Sequence, residues 1–347
     1  MNFFSSTVTT LVARFFSITC GVLTEVLTAR ALGPEGRGIL AVIISTSAIG
    51  VTLGLAGLAE ANTYLVAGDR NLSRRLTANS LWTALATGIL ADGIIVSVYL
   101  ISPSVFESIP FEFLLVGLIS VPFIILGILI QRIYLGQNRI VMFNAYELLT
   151  RALILVATFT VLYLLKMQLY TYLLTYAAIF AASSVYFFFR QEIDLKSIVR
   201  PDFALLKSSL GYGWRAYAAT LLPFFLSRVG LYFVNAQIGA DHAGYYSVAM
   251  QANDLFLIVP GVLGMLLFPR VAANKSDSTL TLKTFRFTLM LMLPIFVIAQ
   301  IFTEQIVVIL FGVEFLPAVT TMRVLFVGGF VSGLGLIIAH DLAGRGY

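Results

Sequence analysis

One motif occurs twice in this chain, each time between two long apolar runs. The first copy spans 32–42 (LGPEGRGILAV) and the second, 206 residues later, spans 238–248 (IGADHAGYYSV). Gly33 aligns with Gly239, and Gly38 aligns with Gly244. A repeat of this length inside apolar sequence predicts a duplicated bundle of membrane helices, which is typical of two-lobed transporters.

The composition places the chain in a lipid bilayer. It is 59% hydrophobic and only 11% charged, whereas soluble domains carry roughly 25% charged residues. The predicted class is therefore an all-α polytopic membrane protein surrounded by lipid. The net charge of +5 does not indicate a nucleic-acid partner, because the charges lie in short loops between apolar runs rather than on one soluble face.

Ten runs are long enough to cross a membrane, since a spanning helix needs about 20 mostly apolar residues. They cover about 5–30, 39–66, 76–101, 111–135, 143–165, 169–190, 206–235, 244–270, 283–303 and 318–341. A polar stretch separates the sixth run from the seventh. We therefore expect an N-terminal six-helix lobe over 1–190, a cytoplasmic linker over 191–205 and a C-terminal lobe over 206–347.

The second lobe is expected to be incomplete. Two full repeats of 206 residues would be longer than the 347 residues present, and the chain stops where an eleventh helix should begin. The favoured interpretation is a truncated chain, and the alternative is a natural ten-helix protein. The loops that follow even-numbered runs hold fourteen Lys and Arg residues, against three in the other loops. This bias predicts a multi-pass protein with a cytoplasmic N-terminus.

Charged residues inside the predicted spans are the main functional signal, because a charge in mid-membrane usually faces a bundle interior or a wet cavity. Arg14 and Glu25 lie on the first span, and Arg215 and Arg228 lie on the seventh, its repeat equivalent. The repeat offset places Arg14 and Arg215 in the cytoplasmic half and Glu25 and Arg228 in the outer half. We interpret the three arginines as substrate-binding residues and expect Glu25 to form a gate with Arg228.

Two acids stand alone in other spans. Asp92 lies in the third and Asp254 in the eighth, and both are candidates for a gate or for ion coupling. Structural alternatives remain for some of these charges: Asp92 could hydrogen-bond a neighbouring helix, and Arg14 could extend to the lipid headgroups.

No motif indicates catalysis. The chain has no P-loop, and its two histidines and one cysteine argue against a transition-metal site. No cofactor is expected, apart from H+ or Na+ as a candidate coupling ion. The absence of a large outer loop argues against an enzyme such as a membrane polysaccharide polymerase.

The segment from Arg30 to Gly38, between the first two spans, resembles the opening signature of the polysaccharide transporters of the MOP flippase superfamily, which include the Wzx-type O-antigen flippases. The second copy resembles the connection between their seventh and eighth helices. Gly33 and Gly239 would permit the turn, and Gly38 and Gly244 close packing. The chain departs from this family in two ways. Many relatives have an acid two residues after the arginine of the seventh helix, where this chain has Gly230 after Arg228. Relatives also have twelve or fourteen helices, whereas this chain has ten predicted spans.

The resemblance implies a protein of the bacterial inner membrane. It would move a polyprenyl-diphosphate-linked oligosaccharide from the cytoplasmic to the periplasmic leaflet for lipopolysaccharide or other surface polysaccharide assembly, through a cationic cleft with alternating access. Polysaccharide polymerase and chain-length proteins are the implied partners. A drug or cation exporter of the same superfamily is the alternative, but three arginines against one glutamate on spans one and seven favour an anionic substrate.

Overall fold

The computed structural model describes residues 3–191, 201–273 and 279–346, with the backbone alone at 3–7, 215–216 and 219–220. All regular elements in these ranges are helical, so the predicted all-α class is confirmed. The α-helices are α1 (Phe3–Leu55), α2 (Leu58–Gly68), α3 (Leu72–Ile101), α4 (Phe111–Gly136), α5 (Ile140–Thr158), α6 (Leu169–Phe189), α7 (Phe203–Gln237), α8 (Ala240–Phe256), α9 (Ile258–Ala273), α10 (Thr279–Leu310) and α11 (Ala318–Arg345). Short 3₁₀ helices cover Pro103–Phe106 and Val313–Phe315, and a π-helical segment covers Phe159–Leu164.

Helix α1 contains two membrane crossings. Its backbone leaves the helical conformation at Gly33, with φ 66° and ψ −177°. The 48 residues of Val8–Leu55 would extend about 72 Å as a straight helix, more than twice the about 30 Å of bilayer hydrocarbon. A second break follows at Ala56 and Gly57, where φ is again positive, and α2 completes the second predicted span.

Seven helices in the described ranges are long and apolar enough to cross a membrane, or eight if the bent pair α8 and α9 forms one span. Helix α1 is one of these seven helices, although it contains two crossings. Helix α7 is not among them, although it lies where the seventh span was predicted. A helix lies at each of the ten apolar runs. Many outward side chains are apolar, as in Ile101, which is 83% exposed, so the protein is a multi-pass membrane protein.

The chain forms two compact units, Met1–Ala243 and Gly244–Tyr347. In the first unit, α4 is central and packs against α1, α2, α3, α5 and α6. It buries a continuous apolar side that includes Ile125, Leu129, Ile130 and Ile133. In the second unit, α11 packs against α9 and α10, and its Ile337 is buried with Leu267 and Val271 of α9.

The boundary between the two units lies between Ala243 and Gly244, in the first turn of α8. Helix α7 belongs to the first unit, where it packs against α1, α2 and the 3₁₀ helix Pro103–Phe106, and the residue before it is bonded to α3. The backbone amide of Asp202 donates to Asn79 Oδ1 at 2.8 Å, and Asn79 Nδ2 donates to the Asp202 carbonyl at 2.9 Å. The Asp202 carboxylate also pairs with Arg75 and caps the helix at Leu205. Residues 192–200 of the expected linker lie outside the described ranges, and the six-helix lobes stay a prediction.

Candidate functional site

Helix α7 approaches the second span closely at one end. Gly57 and Gly213 bring the two backbones into contact, and a Cβ atom on either glycine would overlap the other's backbone. The rings of Tyr64 and Tyr212 stack with centroids 4.3 Å apart. One helical turn further along, the Tyr217 hydroxyl donates to the carbonyl oxygen of Thr52. Small residues at a membrane helix crossing permit this approach.

The other end of α7 contacts the second half of α1, beyond Gly33, and the 3₁₀ helix after α3. The hydroxyls of Tyr232 and Thr46 are hydrogen-bonded at 2.7 Å, and the Tyr232 ring lies edge-on to Phe106. Asn235 Nδ2 donates to the Val105 carbonyl at 3.3 Å. These contacts hold α7 against α1 at both ends and leave two cavities between them.

The first cavity, here called the apolar cavity, has a volume of about 550 Å³. Its lining consists of Thr46, Ile49, Leu53, Ile94, Ile95, Val98, Val105, Phe106, Phe225, Arg228, Val229, Tyr232, Phe233 and Ala236. Arg228 is the single charged residue among these. Its Cζ lies 5.7 Å from the centroid of the Phe224 ring, and its Nε is buried with no hydrogen-bond partner among the described residues. The surface of this cavity is therefore almost wholly apolar, and one arginine lies in its lining.

The second cavity, here called the polar cavity, has a volume of about 410 Å³. It is lined by Thr52, Leu55, Ala59, Glu60, Ile128, Gln131, Arg132, Tyr217 and Phe224. The Nε of Arg132 is buried and has no hydrogen-bond partner in the described part of the chain. Phe224 lines this cavity and also lies beneath Arg228 of the apolar cavity. The two cavities thus adjoin at one turn of α7.

The three arginines that are predicted to bind substrate lie in different parts of the structure. Arg228 lines the apolar cavity, whereas Arg14 is an exposed residue of α1 that lines neither cavity. Arg215 lies on α7, but its side chain is outside the described part of the structure. A cationic cleft built by all three residues stays a prediction.

Glu25 has a partner that the sequence interpretation did not assign to it. Its carboxylate pairs with Arg37, which also donates from Nη1 to Thr28 Oγ1 at 3.4 Å. The Arg37 side chain is 6% exposed and that of Glu25 is 23% exposed. The structure thus pairs Glu25 with Arg37 rather than with Arg228, because the turn at Gly33 folds the start of the second span back onto the first.

The two isolated acids lie in different surroundings. Asp92 is half-buried on α3, and its Oδ1 is buried without a hydrogen-bond partner among the described residues. Asp254 is exposed near the end of α8, in the second unit. Neither residue lines the apolar or the polar cavity. Within the described ranges, no group of three or more His, Cys, Asp and Glu residues could hold a metal ion.

Equivalent glycines in the two copies of the motif resemble each other in backbone φ or in burial. Gly33 and Gly239 both have positive φ, 66° and 122° respectively, a region that glycine enters without the steric cost of a Cβ atom. Gly38 and Gly244 are both buried.

Four polar residues of these sites were not recognised from the sequence: Arg37, Glu60, Gln131 and Arg132. Arg37 and Arg132 lie near the ends of apolar runs, where the sequence predicts them to belong to the basic residues of the loops. Their signal was weak, because a cation at a span end is ordinarily solvated. Only the packing of α1, α4 and α7 shows that the Nε atom of each is buried.

The described part of the chain is thus a polytopic helical bundle whose first unit has two cavities, each with an arginine in its lining. The sequence profile of a family described as "polysaccharide biosynthesis protein" matches residues 27–320. The chain belongs to this family, and the resemblance to the MOP flippase superfamily is confirmed. The family match and the helical architecture support a membrane transporter or flippase rather than an enzyme. Among curated proteins, none matches the chain in sequence.

Solved structures of transporters share the fold. An inward-facing multidrug resistance MATE family transporter of the MOP superfamily has a TM-score of 0.67 and 16% identity, covering 95% of this chain and 81% of that one. An outward-facing structure of such a transporter has a TM-score of 0.62 and 17% identity, with 95% and 79% covered. A MOP superfamily transporter from Pyrococcus furiosus, described as having a binding pocket of reverse polarity, has a TM-score of 0.63 and 15% identity, with 97% and 80% covered. At these identities the likeness shows the fold alone.

Proposed function

We propose that the protein is a flippase for a polyprenyl-diphosphate-linked oligosaccharide. It moves this lipid from the cytoplasmic to the periplasmic leaflet of a bacterial inner membrane, with its own N-terminus in the cytoplasm, and so serves surface polysaccharide assembly. The observation that carries the proposal is Arg228, the single charged residue lining the apolar cavity, whose Nε is buried without a protein partner in the described ranges.

The chemistry of the apolar cavity suits an amphipathic anion. A diphosphate and sugars are costly to place in hydrocarbon without polar partners. The planar guanidinium of an arginine presents several donors in a geometry that matches phosphate oxygens. The apolar walls contributed by α1, α3 and α7 favour a prenyl chain, because they can replace its contacts with lipid.

The transport cycle is proposed to follow alternating access. Arg14 and Arg215 would receive the diphosphate in the inward-open state, and Arg228 would hold it further outward. Asp92 and Asp254 are the candidates for coupling transport to H+ or Na+. Polymerase and chain-length proteins of the same polysaccharide system would be the partners that receive the product.

Export of organic cations is the alternative function. Two structural relatives are described as multidrug resistance transporters, and that description applies to those proteins. In this chain an organic cation would meet Arg228 in the apolar cavity, where low polarity strengthens the repulsion between like charges. The charge of the cavity therefore favours the anionic lipid.

The test is a flipping assay in proteoliposomes that contain a fluorescent polyprenyl-diphosphate oligosaccharide. The full chain should accelerate the appearance of the lipid in the opposite leaflet. Arg228→Gln should slow this rate about tenfold or more, the effect of losing a hydrogen bond to a charged group, and Arg228→Lys should restore part of it. Arg139→Gln is the matched control, since Arg139 is exposed and lines neither cavity. Transport of an organic cation but not of the lipid would support the exporter instead.

A further inference from the structure

The polar cavity carries a set of side chains that the proposed lipid-chain and diphosphate contacts do not use. Arg132 and Gln131 come from the last turns of α4, Glu60 comes from α2, and Thr52 comes from α1. Its volume of about 410 Å³ lies within the roughly 300–1,000 Å³ that is typical of ligand pockets.

The two charges of this cavity do not neutralise each other. No ion pair within 4.0 Å joins Glu60 or Arg132 to another residue in the described part of the chain. Arg132 Nε is buried and lacks a hydrogen-bond partner there. That Nε atom is covered by protein, so a ligand in the cavity would bind the Nη atoms of the same guanidinium. A ligand that supplies acceptors to these charged donors would be bound favourably.

Hydrogen bonds between helices fix the backbone around this cavity and one of its side chains, Gln131. Thr63 Oγ1 donates to the carbonyl of Arg132 at 3.2 Å, which ties α2 to α4. Gln131 Nε2 donates to the carbonyl of Phe143 at 3.0 Å. The Tyr217 hydroxyl, bound to the Thr52 carbonyl, closes the side of the cavity formed by α7. The site is therefore built on four helices and does not depend on a loop.

The combination of one cation with a carboxylate, an amide and a hydroxyl selects a class of ligand. Arginine donors suit phosphate oxygens. A carboxylate accepts hydrogen bonds and repels a bare anion, so Glu60 favours a ligand that also carries hydroxyl donors. A sugar bonded to phosphate has both features. We propose that the polar cavity binds the sugar next to the diphosphate, together with its attached phosphate, with Arg132 on the phosphate and Glu60 and Gln131 on the sugar hydroxyls.

The position of the polar cavity agrees with this assignment, which rests on the proposed flippase function. It adjoins the apolar cavity at Phe224, above which Arg228 lies. Thr52 lines the polar cavity and the next residue, Leu53, lines the apolar cavity. A single amphipathic molecule can therefore place its sugar in one chamber and its prenyl chain in the other.

The experiment compares binding to the purified full chain in nanodiscs by titration. The probes are a short-chain prenyl diphosphate carrying one hexose, the same prenyl diphosphate without the hexose, hexose 1-phosphate and inorganic phosphate. The variants are Arg132→Gln, the charge-retaining Arg132→Lys and the near-isosteric Glu60→Gln. Arg139→Gln, seven residues beyond Arg132 and outside both cavities, is the matched control. Size-exclusion elution and thermal unfolding verify that each variant is folded.

The wild type should bind the hexose-bearing lipid about tenfold more tightly than the sugar-free lipid, as expected for one added hydrogen bond to a charged group. Glu60→Gln should abolish this ratio. Arg132→Gln should weaken the binding of both prenyl lipids about tenfold without abolishing the ratio, Arg132→Lys should weaken it less, and Arg139→Gln should change neither affinity. An unchanged ratio in Glu60→Gln, or unchanged affinity for both lipids in Arg132→Gln, would overturn the sugar site while leaving the flippase intact. Equal affinity for hexose 1-phosphate or inorganic phosphate would show a soluble ligand and overturn it as well. Failure of the wild type to bind either prenyl lipid would overturn the flippase proposal too.

Discussion

Arg37 donates from Nη2 to Oε2 of Glu25 across the break in α1 at Gly33. The pair joins the end of the first span to the start of the second. Both side chains are largely withdrawn from solvent, at 6% exposed for Arg37 and 23% for Glu25. The ion pair therefore braces the turn in the repeated motif.

Removing one member of this pair should destabilise the protein strongly. Arg37→Ala leaves the carboxylate of Glu25 without its partner, and breaking a buried pair costs about 3 kcal/mol or more. We expect a clear drop in the unfolding temperature of the purified protein in detergent. The double variant Glu25→Leu with Arg37→Met should be more stable than Arg37→Ala, because no buried charge is left. An unfolding temperature equal to that of the wild type in Arg37→Ala would contradict the bracing role.

Exchanging the charges of two residues can distinguish this ion pair from the gate between Glu25 and Arg228, which was expected because the two residues lie at similar depth. If Arg37 is the working partner, Glu25→Arg with Arg37→Glu should recover more transport than either single change. Glu25→Arg with Arg228→Glu should recover less, because Arg37 would then face a second cation. Better recovery from the exchange with Arg228 would instead support the gate.

The contact between Gly57 and Gly213 should be intolerant of any side chain. Gly213→Val places a Cβ atom into the Gly57 backbone and should lower the unfolding free energy by about 2 kcal/mol, as overpacking does. Gly211→Val is the matched control on the same helix, because a Cβ atom there meets nothing within 4 Å. Thermal unfolding and flipping rate are the measurements. Equal effects of the two substitutions would show that the backbone contact is unimportant.

Asp92 is expected to couple transport to an ion gradient. Its Oδ1 is buried without a partner among the described residues, and a charge in such a place is unfavourable unless a proton or cation accompanies it. Asp92→Asn should therefore make the flipping rate independent of an imposed H+ or Na+ gradient while the protein stays folded. If the rate in the variant still responds to the same gradient as the wild type, Asp92 has only a structural role.

Arg14 and Arg215 are expected to act together on the cytoplasmic side. The double variant Arg14→Gln with Arg215→Gln should lower the flipping rate about tenfold, a change of about 1.4 kcal/mol in the binding of the diphosphate. Membrane abundance, measured by immunoblot, should stay constant, because Arg14 is exposed and not part of the packed core. A wild-type flipping rate in this double variant would show that neither residue contributes to binding the diphosphate.

The helical architecture was predictable because it depends on local properties of the chain. In a bilayer each backbone polar group must be bonded within its own helix, so an apolar run of about 20 residues forms a helix wherever it occurs. The breaks at Gly33 and Gly239 could be predicted for the same reason, because glycine adopts positive φ values at little steric cost. Arg228 was found because an arginine well inside an apolar run is itself a signal.

The sequence alone therefore determined the membrane class, the helix positions, the duplicated motif and one arginine of the candidate site. The tertiary structure decided which charges meet: Arg37 and not Arg228 lies at Glu25, and Arg132 joins Glu60 and Gln131 around the polar cavity. The physical reason is that depth along a helix follows from residue number, whereas rotation about the helix axis and the approach of α7 through Gly57 and Gly213 depend on packing between distant segments.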